Sequence, residues 1–139
     1  MASVDDVETQ FYDALQRADI ELLMAVWSDD DEVACVHPGG PRVVGHGAVR
    51  VSFEAIFANG PIPVQLQHVR RVQNPGCAVH HVLERVELGG SQGPQTAWVL
   101  ASNVYLKTPQ GWRLVLHHAS PGSPREAQEI VADAPSTLH

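Results

Sequence analysis

The sequence predicts a single α+β domain in which N-terminal helices pack on one face of a mostly antiparallel sheet. Residues 4–57 contain three segments whose apolar residues recur at helical spacing. Residues 64–120 contain four long strand-like segments separated by turn residues. A chain of 139 residues is long enough for one domain with a substantial core. The predicted element order is α-α-β-β-α-β-β-β-β, with the helices before the long strands.

Charge and hydropathy exclude several kinds of partner. The net charge is −7, from 9 basic and 16 acidic residues, which disfavours nucleic acid and anionic membranes. No apolar run approaches the roughly 20 residues of a membrane span, and the first residues lack a signal-peptide pattern. We therefore expect a cytoplasmic protein in which Cys35 and Cys77 are reduced thiols.

The first half of the chain supplies three helices and a short hairpin. Ser3 is placed to cap a helix that continues to about residue 17, and Asp19 to cap a shorter helix over 20–27. The acidic run at 28–32 is interpreted as a loop, because its spacing is not that of a calcium-binding loop. Short strands are predicted at 33–37 and 42–44, followed by a third helix that ends near Asn59.

The second half contains strands at 64–73 and 77–88 and then the central stretch 95–120, where Thr-Pro-Gln-Gly forms a turn at 108–111. These central strands carry apolar residues on both faces, so both faces must be covered. We expect helices on one face and a second copy of the chain on the other, which predicts a homodimer. Strict alternation gives the residues of this expected interface: Trp98, Leu100, Trp112, Leu114 and His118. Residues 1–124 are expected to form the domain, and residues 125–139 a tail with a short helix.

Two segments resemble a known superfamily. The helices FYDALQRADIELLMAVW precede the strand VACVHP and the helix entry GHG, and the last strand reads GWRLVLHHASPGSP. This order is similar to the nuclear-transport-factor-2-like superfamily, which includes ketosteroid isomerases, SnoaL-type polyketide cyclases and the association domain of calcium/calmodulin-dependent protein kinase II. The resemblance implies a cone-shaped half-barrel, a pocket between sheet and helices, and a dimer formed through the outer face of the sheet.

The isomerase residues are only partly present. The resemblance places His37, before Pro38, where ketosteroid isomerases have their Asp general base. Asn103 stands at the position of their oxyanion-stabilising Asp. Phe11 stands at the position of their first-helix Tyr, with Tyr12 beside it.

The association-domain residues are absent. The pocket arginines of that domain fall on Val82, Asn103 and Ala119 in this sequence. The resemblance therefore does not predict anion or peptide capture of that kind.

Alternation along the strands predicts which side chains line the pocket. If Asn103 points inward, its same-face neighbours and the equivalent residues of adjacent strands point inward as well. A mostly apolar cavity with a few convergent polar groups is typical of a small-molecule site. The expected pocket residues are Phe11, Tyr12, Trp27, His80, Val82, Glu84, Tyr105 and His117.

His37 and Asn103 are the candidate catalytic residues. Imidazole titrates near neutral pH, so His37 could act as a general base; alternatively it is a partly buried histidine bonded to backbone. Asn103 could donate a hydrogen bond to an enolate-like oxygen, or could be a bridging amide in the core. Cys35 shares the face of His37, but their separation along the strand disfavours a catalytic pair.

The histidine pairs do not form a metal-binding motif, and we expect neither a metal nor a cofactor. Adjacent residues of a strand face opposite sides, so neither His80–His81 nor His117–His118 can chelate one ion. Inward-facing His80 and His117 could form a site with either Glu84 or His37, a 2-His-1-carboxylate or a three-histidine site, but without a recognisable spacing. His81 and His118 are expected on the outer face, where their protonation could weaken a dimer.

Two functions remain open at this point. One is a small-molecule-binding SnoaL-like protein, with His37 as the base of a cofactor-free isomerase, cyclase or dehydratase. The other is a non-catalytic association module. In the second case a His37 substitution would have little effect, whereas loss of Trp98 or Trp112 would disrupt the dimer.

Overall fold

The structure is a computed structural model that describes residues 2–89, 91–123, 125 and 129–131. Three helices come before the four long strands, as the sequence predicts. The elements are α1 (Val4–Arg17), α2 (Ile20–Met24), β1 (Ala34–Val36), β2 (Arg42–Val44), α3 (His46–Phe57), β3 (Val64–Gln73), β4 (Cys77–Leu88), β5 (Gln95–Thr108) and β6 (Gly111–Gly122).

The first two helices begin at side-chain caps. Ser3 and Asp6 form a reciprocal capping box at the start of α1: Ser3 Oγ accepts from Asp6 N at 3.1 Å, and Ser3 N donates to Asp6 Oδ2 at 2.9 Å. Asp19 Oδ1 accepts from Leu22 N at 3.0 Å and so caps α2. Helix α2 ends at Met24, three residues before the end expected from the apolar pattern. None of the described helices is long and apolar enough to cross a membrane.

The strands form one curved, unclosed sheet of six strands in the order β2-β1-β6-β5-β4-β3. β3 to β6 form the predicted antiparallel meander. β1 adds to it in parallel with β6, which alternation within single strands does not predict. Cys35 lies opposite His117 in this pairing, so the end of β1 lies beside the middle of β6. The α+β prediction is confirmed.

One face of the sheet forms the core with the helices. In β4 and β5 the inner-face residues alternate as predicted and pair across the two strands; Leu83, on the outer face of β4, is buried as well. Each residue of the following pairs is buried. The pairs are His80 with Asn103, Val82 with Ala101, and Glu84 with Val99.

A β-bulge changes the orientation of the start of β6. Tyr105 pairs with Leu114, whereas Val104 pairs with Leu116, so Val115 is an extra residue between the two pairs. Leu114 therefore points into the core with 0% exposure, and Trp112 points the same way with 7%. The expectation that Trp112 and Leu114 lie at a dimer interface is wrong, because one inserted residue reverses the alternation.

The outer face retains an apolar strip. Trp98, Leu100, Val104 and Leu116 are half-buried there, and the Arg85 guanidinium lies 5.9 Å from the Trp98 ring centroid. His81 and His118 are exposed on either side of Ser102, with which both pair in register. The orientations expected for Trp98, Leu100 and His118 agree with this face.

The C-terminal segment is described only in part. Arg70 of β3 forms an exposed ion pair with Glu129 at 2.8 Å. The short helix expected in the tail lies mostly outside the described residues.

Candidate functional site

A cavity of about 260 Å³ lies between the sheet and α3. Three of its lining residues are polar, namely His37, Glu84 and His117. The wall is otherwise apolar and comes from seven segments of the chain. Its apolar lining residues are Leu15, Pro38, Phe53, Ile56, Ile62, Val64, Val86, Ala97, Val99 and Ala119.

Glu84 is the acidic group of the cavity. β4 presents it on the inner face, opposite Val99, and only 6% of it is exposed. Burial in this apolar wall raises the pKa of the carboxyl to about 7, although the hydrogen bond from Tyr12 acts in the opposite direction. Tyr12 Oη donates that bond to Oε2 at 2.6 Å. Glu84 can therefore both donate and accept a proton near neutral pH.

Asn103 lies behind the cavity wall and joins Tyr12 to His117. Its Nδ2 donates to Tyr12 Oη at 2.9 Å, and its Oδ1 accepts from His117 Nδ1 at 2.5 Å. Asn103 is fully buried and does not line the cavity. This geometry corresponds to the bridging amide and not to a donor aimed at a substrate oxygen.

His117 is a neutral group in this environment. Burial, with smaller effects of the charges on His37 and His118, lowers the pKa of its ring to about 3. It remains unprotonated throughout the physiological range, so it can accept hydrogen bonds but cannot supply a positive charge.

His37 follows β1, lines the cavity and is half-buried. Its Nε2 lies 3.0 Å from Ser52 Oγ on α3, and its ring packs edge-on against Phe53 at 4.8 Å. Burial lowers the pKa of His37, so the ring is neutral at pH 7. The hydrogen-bond partner is thus a side chain, in place of the backbone group considered as an alternative.

Cys35 approaches His37 more closely than strand geometry alone suggests. Its Sγ lies 3.7 Å from His37 Nε2, because the side chains lean toward each other. Burial raises the pKa of the thiol to about 12, so the sulfur is protonated and a poor nucleophile. Cys35 and Cys77 are both free thiols, as predicted.

Most of the other expected pocket residues fill the core beside the cavity. Phe11 and Tyr12 from α1 pack edge-to-face at 5.0 Å, and the Phe11 ring lies 5.1 Å from the ring of His117. These aromatic side chains fill the space between α1 and the sheet, so they pack against the cavity-lining residues without lining the cavity themselves. The residues that are buried without lining the cavity are Phe11, Tyr12, Trp27, His80, Val82 and Tyr105.

His80 belongs to a separate polar cluster. Its Nδ1 lies 2.6 Å from Glu8 Oε2, and Arg71 contacts Asp5 at 3.1 Å and Glu8 at 3.8 Å. Asp5, Glu8 and His80 form the one group in the described chain whose ligand atoms lie close enough for a metal ion. The Arg71 guanidinium contacts both carboxylates, so the cluster has the character of an ion-pair network.

Sequence reasoning missed two residues of the site and its surroundings. Glu8 lies between Val4 and Phe11 on the apolar stripe of α1, and a charge on such a stripe is a signal of a buried ion pair. Ser52 contacts His37 across α3 and β1, a pairing for which no sequence signal exists.

The chain matches the model of the SnoaL-like domain over residues 4–124. It belongs to the SnoaL-like domain family. No curated protein matches it significantly. This SnoaL-like chain is similar to a solved candidate calcium/calmodulin-dependent protein kinase type II association domain from Thiobacillus denitrificans. The two are 34% identical, the match covers 88% of this chain and 98% of the other, and the TM-score is 0.79.

A second solved structure is similar to the same extent. It is a candidate dehydratase of the NTF2-like family from Streptomyces avermitilis, 33% identical over 86% of this chain and 94% of the other, with a TM-score of 0.77. A ketosteroid isomerase-like protein from Erwinia carotovora atroseptica shares the fold at 18% identity, covering 87% and 95% of the two chains with a TM-score of 0.69. The SnoaL-like chain thus has similar relatives whose names indicate different functions.

Proposed function

We propose that this SnoaL-like protein binds a small molecule in the 260 Å³ cavity and, without a cofactor, catalyses proton transfer between that molecule and the side chains of the cavity. The observation that carries the proposal is the Glu84 carboxyl, which lies in a mostly apolar cavity wall and has a pKa raised to about 7. A proton donor or acceptor is most effective when its pKa lies near the working pH. Buried carboxyls of this kind are frequent at functional sites.

Dehydration is the reaction that the groups support best. Nδ1 of His37 would take a proton from the carbon next to a carbonyl, and protonated Glu84 would give its proton to the hydroxyl that leaves from the following carbon. A C–H and a C–O bond break, a C=C bond forms and water is released, so no co-reactant is needed. The similarity to the Streptomyces avermitilis candidate dehydratase supports this direction.

The two groups suit opposite roles because burial shifts their pKa values differently. Burial lowers the pKa of His37 and keeps it unprotonated, while it raises the pKa of Glu84 and keeps part of the population protonated at pH 7. A neutral base and a protonated acid are therefore present together near neutral pH.

The test is turnover of 3-hydroxycyclohexanone, whose dehydration product, 2-cyclohexenone, absorbs in the ultraviolet. Glu84→Gln and His37→Ala should each lower the rate on the order of 10²–10⁴-fold, the usual contribution of one acid or base. Glu87→Gln is the matched control, because Glu87 lies on the same strand and is partly exposed. Equal rates in Glu84→Gln and the wild type, or no turnover by the wild type, would contradict the proposed chemistry.

A role as an association module is the second candidate. The similarity to the Thiobacillus denitrificans association domain and the apolar strip around Trp98 and Leu100 favour it. We propose a homodimer through this outer face, which leaves the cavity of each subunit intact. Catalysis and association are thus compatible, and separate measurements decide each.

A further inference from the structure

We propose that the ligand of the cavity is an uncharged molecule that binds by donating hydrogen bonds from hydroxyl groups. This inference rests on the proposed small-molecule function and specifies the class of molecule. It follows from the hydrogen bonds that His37 and His117 make with neighbouring side chains. These bonds fix which ring nitrogen of each histidine carries the proton, and leave the other nitrogen as an acceptor for a ligand.

The tautomer of His117 is set by a chain of three hydrogen bonds. Tyr12 Oη donates to Glu84 at 2.6 Å, so its oxygen is free to accept from Asn103 Nδ2 at 2.9 Å. The amide oxygen of Asn103 then faces His117 Nδ1 at 2.5 Å and can only accept. Nδ1 of His117 therefore carries the ring proton, and Nε2 holds a lone pair.

The tautomer of His37 is set by Ser52. The Ser52 hydroxyl lies 2.8 Å from the carbonyl oxygen of Val49, which cannot donate, so the serine proton is used there. The Ser52 oxygen then accepts from Nε2 of His37 at 3.0 Å, which is a shorter contact than that of Cys35 Sγ with the same nitrogen at 3.7 Å. Nδ1 of His37 is left with a lone pair, and no described residue donates to it.

Glu84 completes a wall of acceptors. Its Oε2 accepts from Tyr12, and when it is ionised its second oxygen also accepts. No Lys or Arg is among the described residues that line the cavity. A carboxylate or phosphate would lose its hydration there without gaining a counter-charge, and would meet the charge of Glu84.

The remaining polar ligand that fits is one that brings its own donors. A hydroxyl group can donate to Nε2 of His117, Nδ1 of His37 or the Glu84 carboxylate. Ten apolar lining residues suit a hydrocarbon ring or chain as the body of the molecule. The volume of about 260 Å³ falls just below the usual range of roughly 300–1,000 Å³ for ligand pockets, so the molecule is small.

The test compares phenol, anisole and benzoate by isothermal titration calorimetry at pH 7.5. These probes share one ring and differ in carrying a donor, an ether that only accepts, or a negative charge. Phenol should bind about tenfold more tightly than anisole, which is the upper range for one net hydrogen bond, and benzoate should not bind. Anisole binding as tightly as phenol, benzoate binding best, or no binding by any probe would overturn the inference.

Variants of His117 and His118 test whether the preference for phenol over anisole comes from the acceptors of the cavity wall. His117→Leu removes one of the three acceptors and should lower the phenol-to-anisole ratio, whereas His118→Leu should preserve it, since His118 is exposed on the opposite face. An unchanged ratio in His117→Leu would remove His117 from the inference.

A readout on the unmodified protein does not depend on variants that fold. Nitrogen-15 NMR should show His117 with protonated Nδ1 and unprotonated Nε2, and His37 with the reverse. The opposite tautomer at both rings would overturn the inference. Phenol preference without turnover of 3-hydroxycyclohexanone would refute the proposed dehydration and leave the ligand class standing, so the two failures are distinguishable.

Discussion

Burial of the Glu84 carboxyl raises its pKa, which suits it to acid–base chemistry but lowers the stability of the folded protein at high pH. In the unfolded chain its carboxyl titrates near 4.5, whereas burial raises its pKa to about 7 in the folded protein. Between these two pH values the folded state holds a proton that the unfolded state releases. Stability from this group is therefore greatest below pH 4.5 and is lost as the pH rises to 7.

Glu84→Gln should consequently stabilise the protein at high pH. The rise in pKa corresponds to roughly 3 kcal/mol, so the variant should gain up to about that much free energy of unfolding at pH 8 and little at pH 4. Urea unfolding at both pH values measures this difference. Glu87→Gln serves as the control and should change little at either pH. A Glu84→Gln variant less stable than the wild type at pH 8 would count against an ionised, buried Glu84.

Strand β6 shows how far alternation predicts an element and where it stops. The bounds of β3 and β4 and the alternation of β4 and β5 follow from turn residues and apolar spacing, because each side chain points to a fixed face. Val115 breaks the rule on β6, since a bulge depends on pairing with β5 and not on the sequence of β6 alone.

Leu114→Ala should be strongly destabilising for this reason. Leu114 is fully buried against the helices, so its truncation should cost about 2–5 kcal/mol by leaving a cavity. Leu106→Ala, which removes the same atoms from an outer-face position that is 40% exposed, should cost less than half as much. Chemical unfolding curves of the two variants give the comparison. Equal losses would contradict the orientation that the bulge imposes.

Contacts between elements explain why the candidate site was predicted only in part. Alternation identified Glu84 and His117 as inward-facing, and the resemblance pointed to His37. Neither alternation nor the resemblance revealed that both polar atoms of the Asn103 side chain hydrogen-bond to Tyr12 and His117, because these bonds depend on how α1 packs against the sheet. The pairing of His37 with Ser52 likewise depends on the position of α3.

At the scale of the whole molecule, the outer face of the sheet is the proposed contact between two copies. Large apolar side chains are common at such interfaces, and Leu100 lies in the middle of the strip between Leu83 and Ser120. His81 and His118 lie on the same outer face, and we still predict that their protonation weakens the dimer.

Leu100→Glu should convert the dimer to a monomer without unfolding it. A charge at the centre of an apolar contact would be buried without a partner in the dimer but would remain solvated in the monomer. Sedimentation velocity measures the oligomeric state, and circular dichroism checks the fold. Val51→Glu, on α3 at a position that is 65% exposed, is the control and should leave the oligomeric state unchanged. A wild type that sediments as a monomer at all concentrations would refute the proposed dimer.

An acid–base role for the cavity depends on the pKa of Glu84, which can be measured directly. Carbon-13 NMR of the side-chain carboxyl, followed from pH 4 to pH 9 in the wild type, reports its titration without a substrate or a variant. We predict a midpoint near 7, at which Glu84 can both donate and accept a proton. A midpoint near the ordinary value of 4.5 would mean that the carboxyl is solvated and ionised, and would contradict an acid–base role for the cavity.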